Sequence, residues 1–163
     1  MAGCERPANR DDEGGEARGY DAGHKITGRK RDIAVDTVGL TCAVVVNVAY
    51  WQDQEGAHFV LAALSRLGRL KVVFGDSAYG REGLPQWVKE TFGWVLQTIL
   101  RPVKAKGFVV LPKRWIVERT FAWLARYRRH SRDYEHNPET SMTMIHISMI
   151  AIMSRRLARQ KHL

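Results

Sequence analysis

The sequence predicts an α/β layer structure built on a mixed sheet. Three observations carry this: a β-branched run after a turn, short apolar runs alternating with helical segments, and two amphipathic helices closing the chain. In order, residues 1–24 have no hydrophobic periodicity, are rich in Gly, Arg, Asp and Glu, and read as a flexible arm. Asp32-Ile33-Ala34-Val35-Asp36 alternates polar and apolar, Thr37-Val38-Gly39 is a turn signal, and Leu40 to Val48 is a continuous β-branched run. Together they predict an antiparallel hairpin with a largely buried second strand.

Gly56 to Leu67 carries Phe59, Ala62, Ala63 and Leu67 at helical spacing, with Gly68 as a stop. Leu70–Phe74 is a short buried strand ending at Gly75-Asp76. A helix over Glu82–Phe92 follows, with Pro85 suited to its first turn. Trp94–Ile99 is a further strand, and Phe108–Leu111 a short extended piece before Pro112. From Lys113 the spacing of Val117, Phe121 and Leu124 predicts a helix. Asn137-Pro138 then opens a last one over Glu139–Arg159, with Met142, Ile145, Met149 and Ile152 as its stripe. The chain thus divides into an arm, 1–24, and one domain, 25–163, and its 163 residues suffice for a single core.

Composition narrows the function. The N-terminus is charged and has no apolar signal region. The Met142–Met153 stretch is broken by Thr, Ser and His146, too short and too polar for a membrane span. Two cysteines, Cys4 and Cys42, stand at no metal-ligand spacing, and Cys42 in its apolar run reads as a small core residue. A cytoplasmic location is the resulting expectation. The six histidines form no zinc pattern. The net charge of +9 is confined to the C-terminal part, where residues 101–163 hold 14 Lys/Arg against 4 Asp/Glu. Such asymmetry fits either a polyanionic partner or a solvated basic face.

Two segments carry candidate chemistry. Asp76 directly follows a buried strand, where α/β folds place their sites, and Gly75 and Gly80 permit close approach. An Asp there is also a common helix cap or turn former. Glu118 stands among apolar residues on a helix, one turn after Arg114, which can pair with it. An ordinary surface ion pair is the competing reading. Trp115 and Trp123, at helical spacing, read as core, and Asp53 as a helix-start residue.

Gly19-Tyr20-Asp21-Ala22-Gly23, Lys25 to Arg31, Val35 to Leu40, Gly75 to Tyr79 and Arg114 to Phe121 stand in an order that resembles bacterial insertion-sequence transposases of the broad families four and five. The resemblance implies a ribonuclease-H-like mixed sheet flanked by helices. It also implies three carboxylates (Asp, Asp, Glu) holding two divalent ions, Mg²⁺ or Mn²⁺, for DNA cleavage and strand transfer. By position, Asp76 matches the second carboxylate, Glu118 the third, and Arg114 the arginine of a Tyr-Arg-Glu-Lys signature. The signature's Tyr and Lys positions fall on Leu111 and Ala125.

No match to the first Asp stands in Met1–Arg10, which does not read as a strand, so the domain is expected to be N-terminally truncated and incomplete at its first strand. Asp11, Asp12 and Asp21 are weak stand-ins, each in a Gly-rich arm, and Asp36 lies on the hairpin, where the family counterpart is not the catalytic Asp. Arg114, Arg119, Arg126, Arg128, Arg129 and Arg132 are the candidate phosphate contacts. The implied partners are the ends of the element and target DNA, with a homo-oligomer assembled on them and a nucleoid-associated location. Three functions compete: an active transposase, a catalytically inactive remnant that binds DNA, and a generic basic RNA-binding protein. The last leaves the ordered motifs unexplained.

Overall fold

The computed structural model describes residues 2–5 (backbone), 18–22, 25–80, 83–100 and 113–160. Strands are β1 (Ala2–Glu5), β2 (Gly19–Asp21), β3 (Ile26–Val35), β4 (Thr41–Val48), β5 (Val72–Gly75) and β6 (Val95–Thr98). Helices are α1 (Asp53–Leu64), α2 (Leu84–Phe92), α3 (Arg114–Ala125) and α4 (Pro138–Gln160). β3 is the axis of an antiparallel sheet. It pairs with β4 on one edge and with both β1 and β2 on the other, β1 opposite Arg31–Ala34 and β2 opposite Ile26–Gly28. β5 and β6 form a parallel pair, and β1 lies against β5. Among the described residues, a mixed α/β architecture with antiparallel strands, a parallel pair and four flanking helices is consistent with the ribonuclease-H-like class.

Two sequence expectations about the strands are corrected. Ala2–Glu5 is a strand, although Ala-Gly-Cys-Glu offers neither alternation nor β-branched residues. Pairing with β3 overrides that weak local preference and occupies an edge otherwise left open. β3 also begins at Ile26 rather than near Asp32, so it includes three consecutive cations, Arg29, Lys30 and Arg31, each at most 3% exposed. Runs of Lys and Arg ordinarily mark solvent. Here both faces of the strand are covered, and every buried charge has partners.

The period of two divides those partners between the faces. On one face, Arg29 Nε lies 2.6 Å from Asp133 Oδ2, and its guanidinium donates to the carbonyls of Glu135 and His136. Arg31 donates to the carbonyls of His130 (3.0 Å) and Arg132 (3.4 Å). Ile33 and Val35 continue this face into a core with Val44, Val46, Ile116, Phe121, Leu124, Ile145 and Met149. On the other face, Lys30 donates to the Asp53 carboxylate and to the Trp51 carbonyl, and Asn47 donates to Asp32 at 3.1 Å. Ala34 continues it into a second core with Ala57, Leu61, Tyr79, Val88 and Leu96. The sheet thus separates two cores, α1 and α2 below, α3 and α4 above.

The remaining elements follow their local signals. The hairpin turn closes on Asp36, whose carboxylate accepts from the N–H groups of Val38 (2.9 Å) and Leu40 (2.8 Å), and Gly39 takes φ +85° there. α1 starts three residues earlier than its apolar spacing suggests, because Gln52 N–H finds the Glu55 carboxylate at 2.8 Å. Asp53 opens this helix as expected. Pro85 lies in the first turn of α2, and Gly93 caps its end at φ +69°. Cys42 is exposed, not core, because β4 turns that side of its first residues to solvent. Trp115 is 42% exposed, also against the core reading, since α3 buries Ile116, Val117, Thr120, Phe121 and Leu124 instead. Phe108–Leu111 lies outside the described residues.

Candidate active site

Asp76 leaves the end of β5 and caps the 3₁₀ turn Ser77–Gly80. Its carboxylate accepts from Ala78 N–H at 2.9 Å and its carbonyl from Tyr79 N–H at 3.2 Å. The turn is held from two sides. Gln54 of α1 donates to the Ala78 carbonyl at 3.1 Å, and the buried Tyr79 ring packs against Gly75. A Cβ on Gly75 would come within 2.9 Å of Tyr79 Cβ, so this glycine is needed for the close approach. Asp76 itself is half-buried. The capping role weighed for it in the sequence is therefore real, and one carboxylate oxygen stays outside that bond.

α3 delivers Glu118. Lys113, just before the helix, has φ +67° and holds its ammonium 3.3 Å from the centroid of the Phe74 ring on β5. This contact ties the residue before α3 to β5, the strand that leads into Asp76. Thr120 and Arg119 fix the middle of the helix to the hairpin turn. Thr120 Oγ1 lies 2.8 Å from the Gly39 carbonyl, and Arg119 donates to the Val38 carbonyl at 2.9 Å. The motif Arg114–Phe121 therefore splits by face. Ile116, Val117, Thr120 and Phe121 anchor the helix, while Arg114 and Glu118 stand outward as an exposed pair with Nε and Oε1 3.4 Å apart.

The candidate cations fall into different settings. Arg119 stacks on Trp115 and Trp123, 4.3 and 4.7 Å from the ring centroids. Arg129 pairs with Glu135 at 2.7 Å, and that hydrogen bond raises its pKa further above the ordinary arginine value. Arg126 and Arg128 are exposed at the end of α3 and the start of the following turn. Arg132 lends its carbonyl to Arg31. His130, in the middle of this basic segment, is buried with Nε2 2.7 Å from Ser148 Oγ. Burial, then the charge of Arg31, lowers its pKa below the ordinary 6.5.

Asp76 and Glu118 are hard oxygen donors of the kind a divalent ion such as Mg²⁺ takes. Among the described residues, no group of three or more His, Cys, Asp or Glu side chains is arranged to hold a metal. Glu5 is the acidic residue at the end of β1, opposite Arg31 in the ladder, on the strand that lies against β5 and meets α3. Sequence reading passed over it, together with Lys113 and the arginines near the end of α4. The signal that could have found those arginines is their spacing, Arg155 and Arg156 each about one turn before Arg159 on a helix otherwise poor in charge. Among the described residues no helix is long and apolar enough to cross a membrane.

No curated protein and no solved structure matches the chain significantly. A family model, the transposase DDE domain, matches residues 3–154, from β1 well into α4, and so takes in both the strand of Asp76 and the helix of Glu118. On that match, which covers most of its length, the chain belongs to the transposase DDE domain family.

Proposed function

We propose that the chain is the transposase of an insertion sequence and carries out metal-dependent cleavage and strand transfer at the ends of its element. The observation that supports this reading is the contact of Lys113, at the entry to the helix that carries Glu118, with Phe74 on the strand that leads into Asp76. Asp76 and Glu118 would hold the divalent ions, Mg²⁺ or Mn²⁺. When bound, such ions supply an activated oxygen nucleophile and stabilise the leaving oxygen. The backbone position of Glu5, opposite Arg31 at the end of the strand that lies against β5, makes it the candidate to be tested for the first carboxylate.

The chain's own groups do the rest. Arg114 orients Glu118 from one turn away and offers its remaining N–H groups to the scissile strand. Arg126, Arg128, Arg129 and Arg132, with Arg119 behind them, present a basic surface to the flanking phosphates and fix register rather than sequence. The substrates are the element's ends and target DNA. A homo-oligomer on DNA fits a reaction that must act on two ends, and the bacterial nucleoid is the corresponding location.

A second reading is a catalytically inactive remnant that only binds DNA. It is favoured by the outward, exposed setting of Glu118, paired with Arg114 on the surface of α3.

Nicking of supercoiled plasmid in Mg²⁺ or Mn²⁺ separates the two. The transposase reading expects nicking by the unaltered chain and a fall of more than about 10²-fold in Asp76→Ala, Glu118→Gln and Glu5→Gln. Equal nicking by Glu5→Gln would remove Glu5 from the site. Plasmid binding with no metal-dependent nicking would establish the remnant.

A further inference from the structure

The ends of α3 and α4 converge on a cleft of about 510 Å³, lined by Trp123, Arg126, Tyr127, Ile152, Arg155, Arg156 and Arg159. Four of these seven residues are arginines, and none of the four makes an ion pair among the described residues. The carboxylates of the two helices, Glu118 and Glu139, lie two turns or more away along their helices. The rings hold two of the cations in place. Arg156 lies 4.2 Å from the Trp123 centroid, and Arg155 lies 5.9 Å from the Tyr127 centroid with Nη1 3.5 Å from the Tyr127 hydroxyl.

Helix C-termini favour cations, which accounts for basic residues at each end taken separately. It does not account for four guanidinium groups turned to one cleft without a carboxylate, two of them oriented by aromatic rings. Mutual repulsion among them is relieved when an anion enters. A stacked guanidinium keeps its edge N–H groups free, in the planar fork that suits a phosphate.

We propose that this cleft is a second phosphate-binding site, distinct from the Asp76–Glu118 region, that takes the DNA backbone beside the scissile position. The proposal rests on the reading of the chain as acting on DNA. Arg126 follows Glu118 by eight residues, about 12 Å along a helix at 1.5 Å per residue. At 3.4 Å of rise per nucleotide, the cleft meets a phosphate roughly three to four nucleotides from the one at Glu118. Its role is to fix the register of the strand on α3, because the ends of two rigid helices cannot slide relative to the catalytic carboxylate.

The test is binding of a short labelled duplex, followed by fluorescence anisotropy across a salt series. The proteins compared are the unaltered chain, Arg155→Ala/Arg156→Ala and Arg155→Lys/Arg156→Lys. Arg155 is exposed, Arg156 partly so, and alanine favours helix, so thermal melts of the three should coincide. The alanine pair is expected to bind about 10-fold or more weakly and to lower the slope of log K against log salt by about 1–2, with the lysine pair recovering the slope. Equal affinity and slope for the alanine pair would overturn the cleft site and leave the transposase reading standing. If the unaltered chain binds no duplex even at low salt, that reading fails and the cleft proposal fails with it.

Discussion

At the scale of single residues, the basic segment after α3 owes its shape to groups that are not themselves displayed. His130 sits under it, hydrogen-bonded to Ser148, its pKa lowered by burial and by Arg31. The unfolded chain, with an ordinary value of 6.5, takes up a proton that the folded chain refuses, so stability falls as pH drops below about 6.5 and goes on falling to the folded value. Urea midpoints measured from pH 8 to pH 5 should show this decline, and His130→Gln, which cannot titrate, should flatten it. Of the candidate site, Asp76 and the Arg114–Glu118 pair were legible in the sequence. A strand end and a four-residue spacing are local facts that survive folding. The burial of Arg29, Lys30 and Arg31 was not legible, because their partners are carbonyls and carboxylates set by tertiary packing, Asp133 and Glu135 among them. The exposure of Trp115 and Cys42 escaped for a related reason. A helix or strand pattern locates the apolar face only to within about a residue, and both lie at its margin.

Between elements, contact geometry replaces propensity as the deciding quantity. Gly56 lies inside α1, where alanine would ordinarily gain about 1 kcal/mol. Its Cβ would instead run into the Asp32 carboxylate of β3, which is fully buried and held by Asn47. Gly56→Ala should therefore destabilise by about 1–3 kcal/mol, as overpacking does, read from the urea midpoint. Unchanged or raised stability would mean that α1 does not rest on β3 at this point. Helices and hairpin were recoverable from sequence because their periods repeat over many residues. β1 was not, since four residues of Ala-Gly-Cys-Glu carry no period and become a strand only when β3 offers an edge.

For the whole molecule, the sheet acts as a partition between two cores. Leu61 is fully buried below it and Ile145 fully buried above it, in clusters that share no residue. Leu61→Ala and Ile145→Ala should each remove about 2–5 kcal/mol, and the double variant should lose the sum to within about 0.5 kcal/mol. A coupling well beyond that would show the two layers to be one packing unit. The long reach of Arg29 and Arg31 has a thermodynamic counterpart. By holding the backbone carbonyls at 130, 132, 135 and 136, they freeze the basic segment during folding, before any partner arrives. Association with a polyanion then loses little chain freedom at this segment. For the DNA binding proposed above, the favourable entropy should come from counterions set free from the nucleic acid, and calorimetry should lack the large opposed enthalpy and entropy of a loop that orders on contact.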